Sequence, residues 1–154
     1  MIDPDTTSVT LVDEIFPGDT NPYGTAFGGR ILSLMDKAAG MAASKFARTD
    51  FVTASLDALD FRAPARLGEI VEIEARVVYT STHTCGIKLV VLGSDKELWE
   101  RRTCCEGVMF MVAIDEDGKP HPIPQLTPQT EDEREAWAYV ESVHKRMLAR
   151  RPKS

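Results

Sequence analysis

The sequence predicts an α+β fold, in which a five-stranded, mostly antiparallel sheet wraps one long helix and an additional helix follows at the C-terminal end. Three observations predict it. Only residues 27–46 form a long apolar helical pattern, with Phe27, Ile31, Leu34, Met35, Ala38, Met41, Ala42 and Phe46 recurring at spacings of three and four. Five other segments read as extended, and the connections between them are too short to hold crossover helices. Residues 131–150 are a charged stretch that keeps Trp137, Val140, Val143, His144, Met147 and Leu148 on one side.

Residues 8–16 are a short strand, ended as a turn by Pro17, Gly18 and Asp19. The helix follows a loop, and its run of Ala38, Ala39, Gly40, Ala42 and Ala43 requires a close neighbour, either a curved sheet or another helix. Segments 51–61, 70–81, 84–92 and 98–114 are strands separated by hairpin connections, the first of them at 62–68. Val71, Ile73, Ala75 and Val77 alternate with Glu72, Glu74 and Arg76, so one sheet face is dry and the other wet. Asp115 to Gly118 make a turn, and the Pro-rich stretch 120–128 is an exit strand or linker. The unpaired sheet edges call for a second copy alongside. Residues 8–125 are read as one domain and residues 126–154 as linker and C-terminal helix.

Bulk properties restrict the function. A chain of 154 residues with 43% hydrophobic and 27% charged residues suits one ordinary soluble domain. Eighteen basic against 24 acidic residues give a net charge of −6, which argues against nucleic acid as a partner. No apolar run has the length of a membrane span, and the first residues lack the pattern of a secretory signal, so the expected location is the cytoplasm with no membrane partner. Cys85, Cys104 and Cys105 have no zinc or disulfide spacing and are assigned to strand packing. His83, His121 and His144 likewise show no metal spacing, so no metal is expected.

The chemistry concentrates in residues 19–36. Gly28 and Gly29 open the helix, where unpaired backbone N–H groups at the positive end of the dipole can hold an oxyanion or polarised carbonyl; they equally suit a tight turn or close packing. Asp36 is the only acid on the helix, either a catalytic carboxylate or a solvated charge. Asn21 either positions a reacting group or serves its own turn. Ser33 either bonds Asp36 or turns back on the backbone. Asp36 lies seven residues past Gly29, about 10 Å at roughly 1.5 Å per residue, too far to serve a carbonyl held by its own helix start. Two antiparallel copies of the helix would close that gap and explain its small residues.

Asp19-Thr20-Asn21, Gly24, Phe27-Gly28-Gly29, Ile31, Ser33 and Met35-Asp36 together resemble the hotdog-fold acyl-CoA thioesterases, in particular the YciA-like group and the brain-type cytosolic acyl-CoA hydrolases. The resemblance extends through Val52-Thr53, Phe61, Pro64, Gly68-Glu69, Val71, Ala113-Ile114-Asp115 and Gly118-Lys119-Pro120. It implies hydrolysis of acyl-CoA to free acid and coenzyme A at a dimer interface, with Asp36 catalytic and Asn21 its partner across the interface; Gly28 and Gly29 are the candidate donors to the carbonyl oxygen from the helix start itself. It further implies a homodimer as the minimal unit within a tetramer or hexamer. No cofactor is implied, since coenzyme A belongs to substrate and product. Where close relatives carry a Gly, a basic residue and paired serines, this chain reads Ser81-Thr82-His83-Thr84.

For the coenzyme A portion, Arg62, Arg66, Lys88, Arg101 and Arg102 are the available cations, and Arg66 and Thr84 are the chosen contacts. Phe27 and Phe61 are assigned to the core in preference to an acyl tunnel. Two other functions compete with hydrolysis. A hydratase needs a His near the central helix, and none precedes Thr82. A non-catalytic acyl-CoA-binding regulator would need a DNA-binding module, for which there is no room before Ser8.

Overall fold

The computed structural model describes residues 1–152; Lys153 and Ser154, the end of the predicted C-terminal segment, lie outside the described residues. Elements run α1 (Pro4–Thr7), β1 (Ser8–Glu14), a 3-10 turn (Pro17–Asp19), α2 (Gly28–Ala47), β2 (Asp50–Phe61), β3 (Ile70–Thr80), β4 (Thr84–Ser94), β5 (Arg101–Ile114) and α3 (Glu131–Arg150). The five strands form one antiparallel sheet in the order β1-β3-β4-β5-β2.

The single-turn α1 was not predicted; Asp3 caps it, with Asp5 N–H donating to Asp3 Oδ1 at 2.9 Å. β5 begins at Arg101, so Leu98 and Trp99 belong to the β4–β5 loop rather than to the strand. Residues 120–128 form no strand beyond the single bridge Ile114–Pro120.

One connection differs from its prediction more consequentially. Residues 62–69 are no hairpin, because β2 lies at the far edge beside β5 while β3 lies between β1 and β4. This loop crosses beneath β5 and β4, with Arg62 N–H donating to Cys104 O at 2.8 Å and Gly68 N–H to Ile15 O at 2.8 Å. Its reach suffices, since three strand spacings come to about 14 Å and eight extended residues to about 26 Å.

The inner face of the curled sheet packs on α2. Ala38, Ala39, Ala42 and Ala43 are fully buried there together with Met35, Val71, Ile73, Ile87, Leu89 and Val91. The small-residue run therefore admits the sheet of its own protomer, which removes the argument that it marks a neighbouring helix. α2 leaves a narrow exposed stripe at Gly29, Ser33, Asp36, Lys37 and Met41.

The outer face is covered at one end by α3, through Val140, Val143 and Met147 against Val78, Tyr79, Val108 and Phe110. Gly86 makes this approach feasible, because a β-carbon there would stand 2.6 Å from Val140 Cγ1. Thr130 and Glu133 start α3 as a reciprocal capping box. Within this second core His144 is buried, its Nδ1 lies 3.1 Å from the Tyr79 hydroxyl, and its ring stacks at 4.9 Å on Phe110.

Burial, and secondarily the nearby Arg151, hold the His144 pKa below its ordinary value. The unfolded chain therefore binds this proton more readily, so the contribution of neutral His144 is complete above about pH 6.5 and is lost as pH falls through the folded-state value. Thermal melts should show lower stability at pH 5.5 than at pH 7.5, and His144→Asn should flatten that slope.

Candidate active site

α2 starts at Gly28 with no side-chain cap, since Phe27 occupies the N-cap position. Arg30 and Ile31 N–H reach Phe27 O at 3.0 and 3.2 Å, whereas Gly28 and Gly29 N–H donate to nothing among the described residues. Two donors thus face outward at the positive end of a 20-residue helix. Neither glycine is demanded by the protomer itself. Neither has positive φ, a β-carbon on Gly29 would meet nothing within 4 Å, and one on Gly28 would meet only Phe61 Cζ at 3.7 Å. The turn and close-packing readings of the pair therefore lack support from within the chain.

The preceding loop is fastened from three sides. Asn21 Oδ1 accepts from Tyr23 N–H at 2.9 Å and Thr25 N–H at 3.2 Å, and its Nδ2 donates to Thr25 Oγ1 at 2.9 Å. Gly24 takes φ +78° in the turn so closed, a conformation that favours glycine. Asn21 does serve its own turn, as its simpler reading has it, yet one amide hydrogen stays available.

The crossing loop zips onto the same turn, with Ala26 N–H donating to Ala65 O at 2.7 Å and Leu67 N–H to Gly24 O at 2.9 Å. Arg30 supplies the third fastening. Its Nη2 lies 2.6 Å from Asp13 Oδ2 on β1, and its Nε makes a 3.1 Å ionic contact with Asp19, too poorly aligned to count as a hydrogen bond. The crossing loop is itself clamped by Glu69, which pairs with Arg102 and accepts from Arg66 N–H at 2.6 Å. Burial works against the ionised Glu69, but the Arg102 bond and the Arg66 N–H outweigh it and lower its pKa.

Two turns along α2, Asp36 stands exposed and accepts a 2.5 Å bond from Thr53 Oγ1 on β2. Thr53 is the site residue that sequence reasoning missed as such. It lies 17 positions from Asp36, and nothing in local spacing links a helix residue to a strand of the next element. Ser33 bonds neither Asp36 nor the backbone among the described residues, and is exposed. Because α2 is unbroken, Asp36 and the free N–H groups of its own chain remain about 10 Å apart.

Arg66 sits against the Asn21 loop through the bridge Thr25–Arg66. Arg62, Arg101 and Arg102 are engaged with Asp60 and Glu106, Glu72, and Glu69, while Arg66 and Lys88 form no ion pair among the described residues. Thr84, buried where β4 begins, lies at the opposite end of the sheet.

His83, His121 and His144 occupy the β3–β4 turn, the Pro-rich stretch and α3, all off α2. The three cysteines are buried and unpaired with one another, and burial raises Cys85 to about 12 and Cys105 to about 11. Phe27 and Phe61 are not core residues: they are 47% and 51% exposed, flanking the helix start.

The model of the Thioesterase superfamily matches residues 23–98. An uncharacterized acyl-CoA thioester hydrolase of Bacillus subtilis is 34% identical over 125 residues, 81% of this chain and 73% of that protein. The mouse cytosolic acyl coenzyme A thioester hydrolase is 31% identical over 144 residues, 92% of this chain, which spans only 38% of the mouse protein. Among solved structures, a hexameric acyl-CoA thioesterase superposes with a TM-score of 0.86 at 34% identity, covering 95% of this chain and 96% of that one. The Staphylococcus aureus acyl-CoA hydrolase, solved with butyryl coenzyme A and coenzyme A, gives 0.86 at 28% identity, covering 94% and 88%. Its solved variants replace one Asp, one Thr and one Asn by Ala.

Two substitutions test this geometry. Gly29→Ala should leave melting unchanged or raise stability by up to about 1 kcal/mol, since alanine favours the helix and has room, while reducing turnover by crowding the donors. Arg30→Met should lower unfolding free energy by about 1 to 3 kcal/mol and release the Asn21 loop, read as faster amide exchange at residues 19–26.

Proposed function

This chain belongs to the acyl-CoA thioester hydrolases of the Thioesterase superfamily, and from that premise we propose that it hydrolyses acyl-CoA at a site shared by two subunits. Gly28 and Gly29 N–H of one subunit hold the thioester carbonyl oxygen. Each such donor is worth about 2.7 to 4 kcal/mol as negative charge develops there. Asp36 of the other subunit faces the carbonyl carbon, with Thr53 holding one carboxylate oxygen and leaving the second for chemistry.

In the general-base route Asp36 takes a proton from water as the water oxygen bonds to the carbonyl carbon. The C–S bond then breaks and the proton passes to the departing thiolate, giving free acid and coenzyme A. In the nucleophilic route an Asp36 oxygen bonds to the carbonyl carbon as the C–S bond breaks and coenzyme A leaves as thiolate; water then hydrolyses the anhydride, giving the free acid, restoring the Asp36 carboxylate and supplying the proton that the thiolate takes up. The remaining amide hydrogen of Asn21 serves to orient water or carbonyl. Arg66 and Thr84 are the proposed contacts of the coenzyme A portion.

The observation that carries this reading is the pairing of partnerless N–H groups with a carboxylate that the same chain cannot bring to them. Spacing supports the residue choice. The Asn, Asp and Thr replaced in the S. aureus enzyme are separated by fifteen and seventeen residues, as are Asn21, Asp36 and Thr53. Hexameric relatives support an oligomer built from the dimer. The exposed edge of β2 with Val52 and Leu59 suits a second copy. No described helix is long and apolar enough to cross a membrane, and the name of the mouse relative supports a cytosolic place of action.

Thiol release from acyl-CoA should fall about 10²- to 10⁴-fold in Asp36→Asn. Subunits carrying Asp36→Ala, mixed with subunits carrying Asn21→Ala, should recover about one quarter of wild-type activity, because half the dimers are mixed and each holds one intact site. No recovery would leave the shared site untenable.

A further inference from the structure

Gly29, Ser33 and Asp36 follow one another at spacings of four and three, which places them on one face of α2. Of residues 31–34, Ile31 and Leu34 are buried and Leu32 packs against the core, so Ser33 alone is exposed. Its hydroxyl meets no partner among the described residues, whereas Asp36 is held by Thr53. Ser33 therefore stands halfway between the free N–H groups and the carboxylate, with nothing in its own chain to bond it.

Resting on the shared-site reading, the surroundings of Ser33 in a dimer follow from symmetry. A two-fold axis that brings the Gly28 and Gly29 N–H groups of one subunit to Asp36 of the partner subunit also brings the first subunit's Asp36 to the partner's glycines. The midpoints of the two helix segments can then be no further apart than their facing ends. Those ends are about 7 Å apart when the carboxylate attacks the bound carbonyl directly, and about 10 Å apart with a water between them, from the lengths of a hydrogen bond, a C=O bond and a near-attack contact. Because α2 is unbroken from Gly28 to Ala47, its regular rise puts the midpoint at residues 32–33, of which only Ser33 faces outward. We infer that the two-fold axis of the dimer crosses α2 at Ser33, which faces its own copy there. The two helices run antiparallel past each other, and a side chain of this size fits between axes roughly 8–10 Å apart. The two thioester carbons then lie about 10 Å apart, one on each side of the axis.

The test uses Ser33→Cys, Lys37→Cys and Met41→Cys, all on the exposed stripe of α2, with acyl-CoA cleavage and sedimentation measured alongside. The native thiols are buried, and burial raises Cys85 to about 12 and Cys105 to about 11, so the wild type serves as the control without cross-links. Around an axis at Ser33, antiparallel copies of Lys37 stand about 12 Å apart along the helices and copies of Met41 about 24 Å. Both separations exceed the roughly 7 Å that a disulfide spans between α-carbons. With diamide or a short bismaleimide, Ser33→Cys should form covalent dimers about tenfold or more faster than either other variant. Spin labels at the three positions should give distances between subunits that lengthen from Ser33 to Lys37 to Met41. Faster coupling through Lys37→Cys or Met41→Cys, or another order of distances, would overturn the inference, as would no coupling at any of the three positions in a protein that sediments as an oligomer. Coupling led by Ser33→Cys in a protein whose wild type releases no thiol from acyl-CoA would uphold the axis and overturn the thioesterase reading instead.

Discussion

The seat of α2 in the curled sheet is the constraint on which the rest depends. Four alanines, Ala38, Ala39, Ala42 and Ala43, let strand backbones approach the helix closely, and larger side chains there would push it out of the curl. With that face committed inward, the stripe containing Gly29, Ser33 and Asp36 has only one place to go. The chemistry of the helix is therefore exposed by the same packing that stabilises the fold.

The helix start is shaped by what it lacks. Most helices satisfy their first N–H groups with a capping side chain, but here Phe27 provides none, and the loop before it uses its polar groups on itself. Asn21, Arg30 and the crossing loop hold the approach to the helix rigidly without filling the donors. Such a site is preorganised: little reorganisation is needed when a developing oxyanion arrives. Asp36 is prepared similarly, its carboxylate oriented by Thr53 from the neighbouring strand.

Strand order links these parts. Because β2 lies at the outer edge, the chain must recross the sheet to reach β3, and that recrossing brings Ala65 and Arg66 to the Asn21 loop. A simple hairpin at 62–69 would have left the helix start unsupported. The same edge position leaves Phe61 half exposed beside Gly28, where a central strand would have buried it.

The sequence by itself determined the elements and the chemistry they carry. Ile31, Leu34, Met35, Ala38 and Ala42 marked the buried helix face, Val71, Ile73, Ala75 and Val77 marked the inner face of β3, and the offset from Gly29 to Asp36 excluded a site within one chain. These are local facts, set by the repeat of 3.6 or 2 residues and by the rise per residue. Only the tertiary structure decided that the alanines face the sheet, that Thr53 meets Asp36, that residues 62–69 cross the sheet, and that Phe61 stands over Gly28. Each of these joins residues from different elements, and such contacts depend on strand order and sheet curl, which emerge from the summed packing of many side chains and are encoded in no single spacing.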